Sequence, residues 1–232
     1  MEETPLKFEY SIALLCSMNV STRFKTRAKD HAILLIVTGV LLVMFIVLIP
    51  GDDVKYLWSM ATGYVSIILL AITLLIGPLN IYSKKVNPVS SDLRRDAGFW
   101  CGLMSLAHIV IGIQVHMGNI WLYFFKAVKG DDSYKFRDDL FGWANYAGLV
   151  AGLIVLVLLL LSNDLSLKWL RPRRWKNIQR WNYLLFALVL MHGIMYQIIE
   201  KRTMVIILLF SMIMLMPVIG QSLGFSIVRK NK

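Results

Sequence analysis

The sequence predicts an all-α membrane protein, a bundle of six transmembrane helices with both termini on the cytoplasmic side. Three observations carry this. Apolar residues fill 57% of the 232 positions and charged residues 17%, with a mean hydropathy of +0.63, whereas soluble domains average about 45 to 50% apolar and about 25% charged. A chain of this length has no core large enough to hide that surplus. Six stretches reach the ~20 mostly apolar residues that cross ~30 Å of hydrocarbon. Finally, Lys and Arg alternate in density from one connection to the next, so the net charge of +11 reads as an orientation signal.

Residues 1–30 read as a cytoplasmic or interfacial segment. The apolar part of PLKFEYSIALLCSMNV (5–20) is too short to span and is flanked by Lys7 and Glu9. It also lacks the basic leader and small-residue cleavage site of a signal peptide. The membrane domain covers 31–224. Its first span is His31 to Pro50 and its second Leu57 to Pro78. The third, Asp96 to Met117, is less apolar and carries His108, Gln114 and His116; the fourth, Phe141 to Ser162, ends in VLVLLLLS. The fifth, Gln179 to Ile199, holds His192, and the sixth, Met204 to Gly224, holds Pro217. A basic cytoplasmic tail, 225–232, follows.

Five Lys and Arg precede the first span and one separates it from the second; four, four, six, two and three follow in order. The alternate segments hold 18 and 7, which places the termini and the 2–3 and 4–5 connections in the cytoplasm. The outer connection 118–140 balances its cations with Asp131, Asp132, Asp138 and Asp139. The 4–5 connection, LKWLRPRRWKNIQRW, interleaves Trp169, Trp175 and Trp181 with cations; this is the composition of a membrane interface, and no nucleic-acid partner is expected. There is no dinucleotide fingerprint and no phosphate-binding P-loop, so soluble cofactor chemistry must come from another protein. Cys16 and Cys101 give neither a disulfide framework nor a metal-ligand spacing. No pair of broken helices in corresponding halves points to a transporter.

An ionisable side chain at mid-membrane is costly and marks a functional site by default. His108 lies 13 residues beyond Arg95, and His192 lies 12 beyond Arg180. The third and fifth spans run the same way, so at about 1.5 Å per residue the two imidazoles share one depth, ~18 to 20 Å from the basic inner boundary. Two histidines on parallel helices at one depth suit the axial positions of a haem iron, although a hydrogen bond to a neighbouring helix is the plainer use of either alone. Gly98, Cys101, Gly102, Ser105 and Gly112 near His108, and Gly193 beside His192, leave room for a flat ligand or for close helix packing. His116 should lie ~12 Å further out, at the surface. His31 reads as a boundary residue without a ligand role.

The stretches LLAITLLIGPLN (69–80) and LRRDAGFWCGLMSLAH (93–108) resemble the core of the ferric-reductase-like transmembrane superfamily. There, one helix ends in a Pro-Leu motif and the next opens on Arg-Arg-x-x-Gly, here Arg94, Arg95 and Gly98, before a haem-binding histidine. Among its members the MsrQ-type haem subunits are the most similar in pattern. WKNIQRWNYLLFALVLMH (175–192) is similar to the family's helix opening that carries two histidines 13 residues apart, with Gln179 in place of the first. The resemblance implies one haem b, held by His108 and His192, and an inner haem lost at Gln179. It implies a membrane cytochrome, an electron-transfer subunit of the plasma or inner membrane. Such a subunit carries electrons from a cytoplasmic reductase or flavin donor to an acceptor protein or small molecule outside. A flavin near Gln179 and the 4–5 connection is the implied second carrier. Arg94 and Arg95 would neutralise a propionate, a flavin phosphate or a lipid phosphate there, or serve only as cytoplasmic anchors. The loss at Gln179 leaves a second reading, a haem-free scaffold or assembly partner of the same fold.

Overall fold

The computed structural model describes residues 5–83, 92–128, 130 and 133–230, with side chains from 24 to 229 except at 164, 167, 168, 171–173 and 176. Lys7, Glu9, Cys16, Arg23, Lys84, Lys85, Lys129, Asp131, Asp132 and Lys168, used in the reading above, lie outside the described residues or side chains.

Seven helices follow in order: α1 (Pro5–Leu48), α2 (Val54–Tyr82), α3 (Asp92–Gly112), α4 (Leu140–Leu160), α5 (Asp164–Gln179), α6 (Trp181–Ile199) and α7 (Met204–Lys230). Between α3 and α4 the chain makes a 3₁₀ turn (Ile120–Tyr123) and a small antiparallel hairpin, β1 (Phe125–Ala127) with β2 (Tyr134–Phe136). Among the described residues, five helical stretches are long and apolar enough to cross a membrane: Phe24–Leu48, Val54–Tyr82, Leu140–Leu160, Asn177–Ile199 and Met204–Arg229. The chain is therefore a multi-pass helical membrane protein. Its outer surface agrees, because Ile36, Val40, Val43 and Val47 form an exposed stripe along α1, and Leu208, Met212, Leu215 and Ile219 form another along α7. Apolar stripes of that size are not left facing water.

Three elements differ from the sequence reading. The N-terminal segment and the first span are one helix, since the polar run STRFKTRAKD (21–30) contains no Gly or Pro to break it. α3 begins at Asp92 and ends at Gly112, five residues short of Met117. Its end is turned over by the Tyr123 hydroxyl, which donates to Gly112 O (3.0 Å) and accepts from His116 N (3.0 Å). With Asp92, Arg94, Arg95 and Asp96 in its first turns, α3 is not among the five apolar spans. The cationic 4–5 connection is itself helical, as α5.

α2 is the central element. Two thirds (67%) of its apolar window is buried, against 6% for Asn177–Ile199, and Ala61, Val65, Leu69 and Leu74 are its core. Asp53 caps its start by accepting from Lys55 N at 2.8 Å, and Asp139 caps α4 by accepting from Gly142 N at 2.8 Å. Gly63 faces His108 while Gly98 faces Thr73, so α2 and α3 are antiparallel. Gly102 meets Leu159 and Gly152 meets Ile109, so α4 is antiparallel to α3. Tyr64 reaches Ile206, and Gln221 donates to Leu74 O, so α7 runs parallel to α2. Tyr183 with Gln221 and Gly193 with Phe210 set α6 antiparallel to α7. α3 and α6 are consequently parallel.

Candidate functional site

His108 on α3 and His192 on α6 face each other, with ring centroids 6.3 Å apart and planes at 86°. Each ring is fixed by main chain on its antiparallel neighbour. His108 Nδ1 lies 2.8 Å from Ser59 O on α2, and His192 Nδ1 lies 2.8 Å from Ala144 O on α4. A carbonyl oxygen only accepts, so each Nδ1 carries the proton and each Nε2 is left with its lone pair. Among the described residues no hydrogen bond reaches either Nε2. This is the arrangement in which a protein presents imidazole to a metal, with the far nitrogen holding the tautomer and the ring orientation.

The space for each ring comes from a glycine one turn beyond the accepting carbonyl. A Cβ on Gly63 would stand 3.0 Å from His108 Nδ1, and one on Gly148 would stand 2.8 Å from His192 Nδ1. The sequence reading looked for small residues on the histidine helices and so missed these, which lie on the opposite helices. Their signal was legible as two small-x-x-x-small pairs, Ser59 to Gly63 and Ala144 to Gly148.

Among the described residues no group of three or more His, Cys, Asp or Glu side chains is placed to hold a metal ion. A metal between His108 and His192 would have to bring its other ligands with it. A macrocycle does that.

Arg94 and Arg95 lie apart from the histidines, on a cavity of about 310 Å³ between α3, α4 and the α5–α6 junction. Gln179, Arg180 and Tyr183 share its wall, and among the described residues no Asp or Glu does. Arg95 also approaches Asp92 (3.8 Å), Ser162 O (3.4 Å) and the face of Trp175 (5.9 Å). Gln179 Nε2 is buried and has no hydrogen-bond partner among the described residues. A buried amide donor left unmade costs about 1–3 kcal/mol, which a bound acceptor would relieve.

Two further clusters surround the pair. On one side His192 touches Tyr196 (4.9 Å between centroids), and Tyr196 stacks on His116 at 5.9 Å. His116 Nε2 lies 3.3 Å from Glu200 Oε1. On the other side the fully buried Asp96 accepts from Arg27 Nη2 (2.5 Å), with His31 Nε2 at 3.4 Å from the same oxygen. Trp100 Nε1 donates to His31 Nδ1 at 3.2 Å. Sequence reading missed this network, because nothing local marks Asp96 as the residue that ties α1 to α3.

No known protein family, no curated protein and no solved structure matches the chain.

Proposed function

We propose that the protein is a membrane b-type cytochrome in which His108 and His192 are the axial ligands of one haem. The observation that carries this reading is the pair itself. Two imidazole nitrogens sharing one metal ion each sit about 2 Å from it, which sets two opposed ring centres roughly 6 Å apart; the separation here is 6.3 Å. The carbonyls of Ser59 and Ala144 supply the hydrogen bonds that such ligands require. A haem so held supplies one-electron chemistry; this chain supplies ligation, orientation and a membrane position.

The reading includes six crossings with α3 as the sixth. At about 1.5 Å per residue its 21 residues are long enough to cross, and α2 and α4 flank it on both sides. The cation distribution favours cytoplasmic termini, which puts the Arg94/Arg95 cavity inside and His116 outside. The cavity suits an anionic aromatic donor such as a flavin: guanidinium groups, an indole wall and the orphaned Gln179 amide all meet there. The similarity to the ferric-reductase-like superfamily points the same way, with a cytoplasmic reductase as donor and an acceptor on the outer side.

The test is an absorption spectrum of the detergent-purified chain, oxidised and dithionite-reduced, with pyridine haemochrome stoichiometry. The expected result is a low-spin b-type spectrum at one haem per chain, lost in both His108→Ala and His192→Ala. A folded protein from a haem-replete host with no Soret band would overturn the cytochrome and leave the haem-free scaffold.

A further inference from the structure

We propose that His116 and Glu200 form the outer acceptor site, where a quinone-type oxidant is protonated as it is reduced. This rests on the reading of His108 and His192 as the haem ligands. The geometry that suggests it is a ladder of rings. From His108 to His192 the step is 6.3 Å, from His192 to Tyr196 it is 4.9 Å, and from Tyr196 to His116 it is 5.9 Å with planes at 27°. Electron transfer falls steeply with the gap between conjugated groups, so touching rings shorten the through-space path from the half-buried pair to the surface. Tyr196 is held in place by its hydroxyl, which donates to Asn145 Oδ1 at 3.0 Å. It is a positioning residue.

The end of the ladder can deliver a proton as well as an electron. His116 is 27% exposed at its side chain and Glu200 21%, and they meet at 3.3 Å. The other ionisable groups around His116 are the Tyr123 hydroxyl, bonded to its backbone N–H, and Tyr196. Arg202 approaches Glu200 at 3.9 Å, and Arg137 lies over the far ring, Phe141. Phe141, set edge-on at 5.7 Å, completes an aromatic wall for a flat acceptor. Each of the two electrons that reduce the quinone is matched by one proton passing from His116 to a quinone oxygen. The imidazole regains its proton from the outer water beside Glu200. Two electrons and two protons convert the quinone to the quinol, and the electrons originate in the cytoplasmic reductant.

The experiment compares wild type, His116→Gln and Glu200→Gln in nanodiscs, each reduced with dithionite and mixed anaerobically with duroquinone or with ferricyanide, which takes no proton. Expected for His116→Gln is reoxidation by duroquinone slowed about 100-fold with loss of its solvent isotope effect, and reoxidation by ferricyanide slowed far less, by the lost ring step alone. Glu200→Gln should slow the duroquinone reaction in the same direction. In sealed vesicles, His116→Cys, made with Cys16→Ser and Cys101→Ser, should react with a membrane-impermeant maleimide added from the side opposite the termini. Equal slowing with both oxidants, no slowing with either, or no labelling of His116→Cys, each with a normal wild-type Soret band, would overturn the proposal. A wild type without a Soret band removes the haem reading and this one together.

Discussion

His192 meets main chain before it meets any ligand, and that fact governs what substitutions near it do. Gly148→Ala places a carbon 2.8 Å from Nδ1, inside contact distance, so the ring must swing or α4 must retreat. The expected outcome is a loss of about 1–3 kcal/mol from overpacking and, on the proposed cytochrome reading, reduced haem occupancy with a broadened low-spin signature in the electron paramagnetic resonance spectrum. Gly39→Ala, with nothing within 4 Å of the added carbon, is the control that should change neither. The histidines were legible in the sequence because an ionisable side chain at membrane depth is conspicuous. Ser59 and Ala144 were not, because they act through backbone oxygen, which every residue has. A second residue-scale prediction concerns Asp139 outside the membrane. The Arg137 guanidinium beside it, and then the Gly142 N–H, hold its carboxyl well below the usual range. A carboxyl lowered on folding contributes stability that is complete above the unfolded value of about 3.9 and is lost as pH falls through the folded one. Thermal denaturation from pH 7 to pH 3 should therefore show an acid loss that Asp139→Asn lacks, and Asp139→Ala should cost about 1 kcal/mol at pH 7 through the cap.

At the scale of elements, five spans announce themselves by composition and α3 does not. Its first turns carry two acids and two arginines because they have partners: Asp96 holds Arg27, and Arg95 reaches Ser162 O. Hydropathy averages cannot see a charge that is paired across 69 residues of sequence. The boundary errors have the same origin. α3 stops at Gly112 because Tyr123, 11 residues on, takes its last carbonyl. The continuous α1 and the helical α5 show the reverse case, polar segments that stay helical because nothing in them breaks a helix. The crossing number is open to a direct check. Single substitutions Ser83→Cys and Tyr134→Cys, which flank α3, in the Cys16→Ser, Cys101→Ser background, should be labelled from opposite sides of sealed vesicles. Labelling of both from one side would remove α3 as a crossing.

Across the whole molecule the two candidate stations lie at different depths, with the imidazole pair between α3 and α6 and the arginine-lined cavity beside the α5–α6 junction. Separate stations predict separable losses. On the proposed cytochrome reading, Arg94→Ala should leave haem content and midpoint potential unchanged while slowing reduction by flavin donors about tenfold, the loss of roughly one charge-assisted contact; equal slowing with dithionite would place the defect elsewhere. The resemblance motif made Arg94 and Arg95 visible in the sequence, but the cavity they share with Gln179 depends on how α4 and α6 come together, which no local pattern records. The two imidazoles are also held by one device used twice, carbonyl, glycine one turn on, and histidine 45 positions after Gly63 or 44 after Gly148. In the proposed cytochrome both ligands would hang from helix backbones and not from mobile side chains, so a change of charge between them would move little nuclear mass. A low reorganisation energy would follow, and with it exchange that is fast in either direction, leaving the direction of flow to the partners at the two faces.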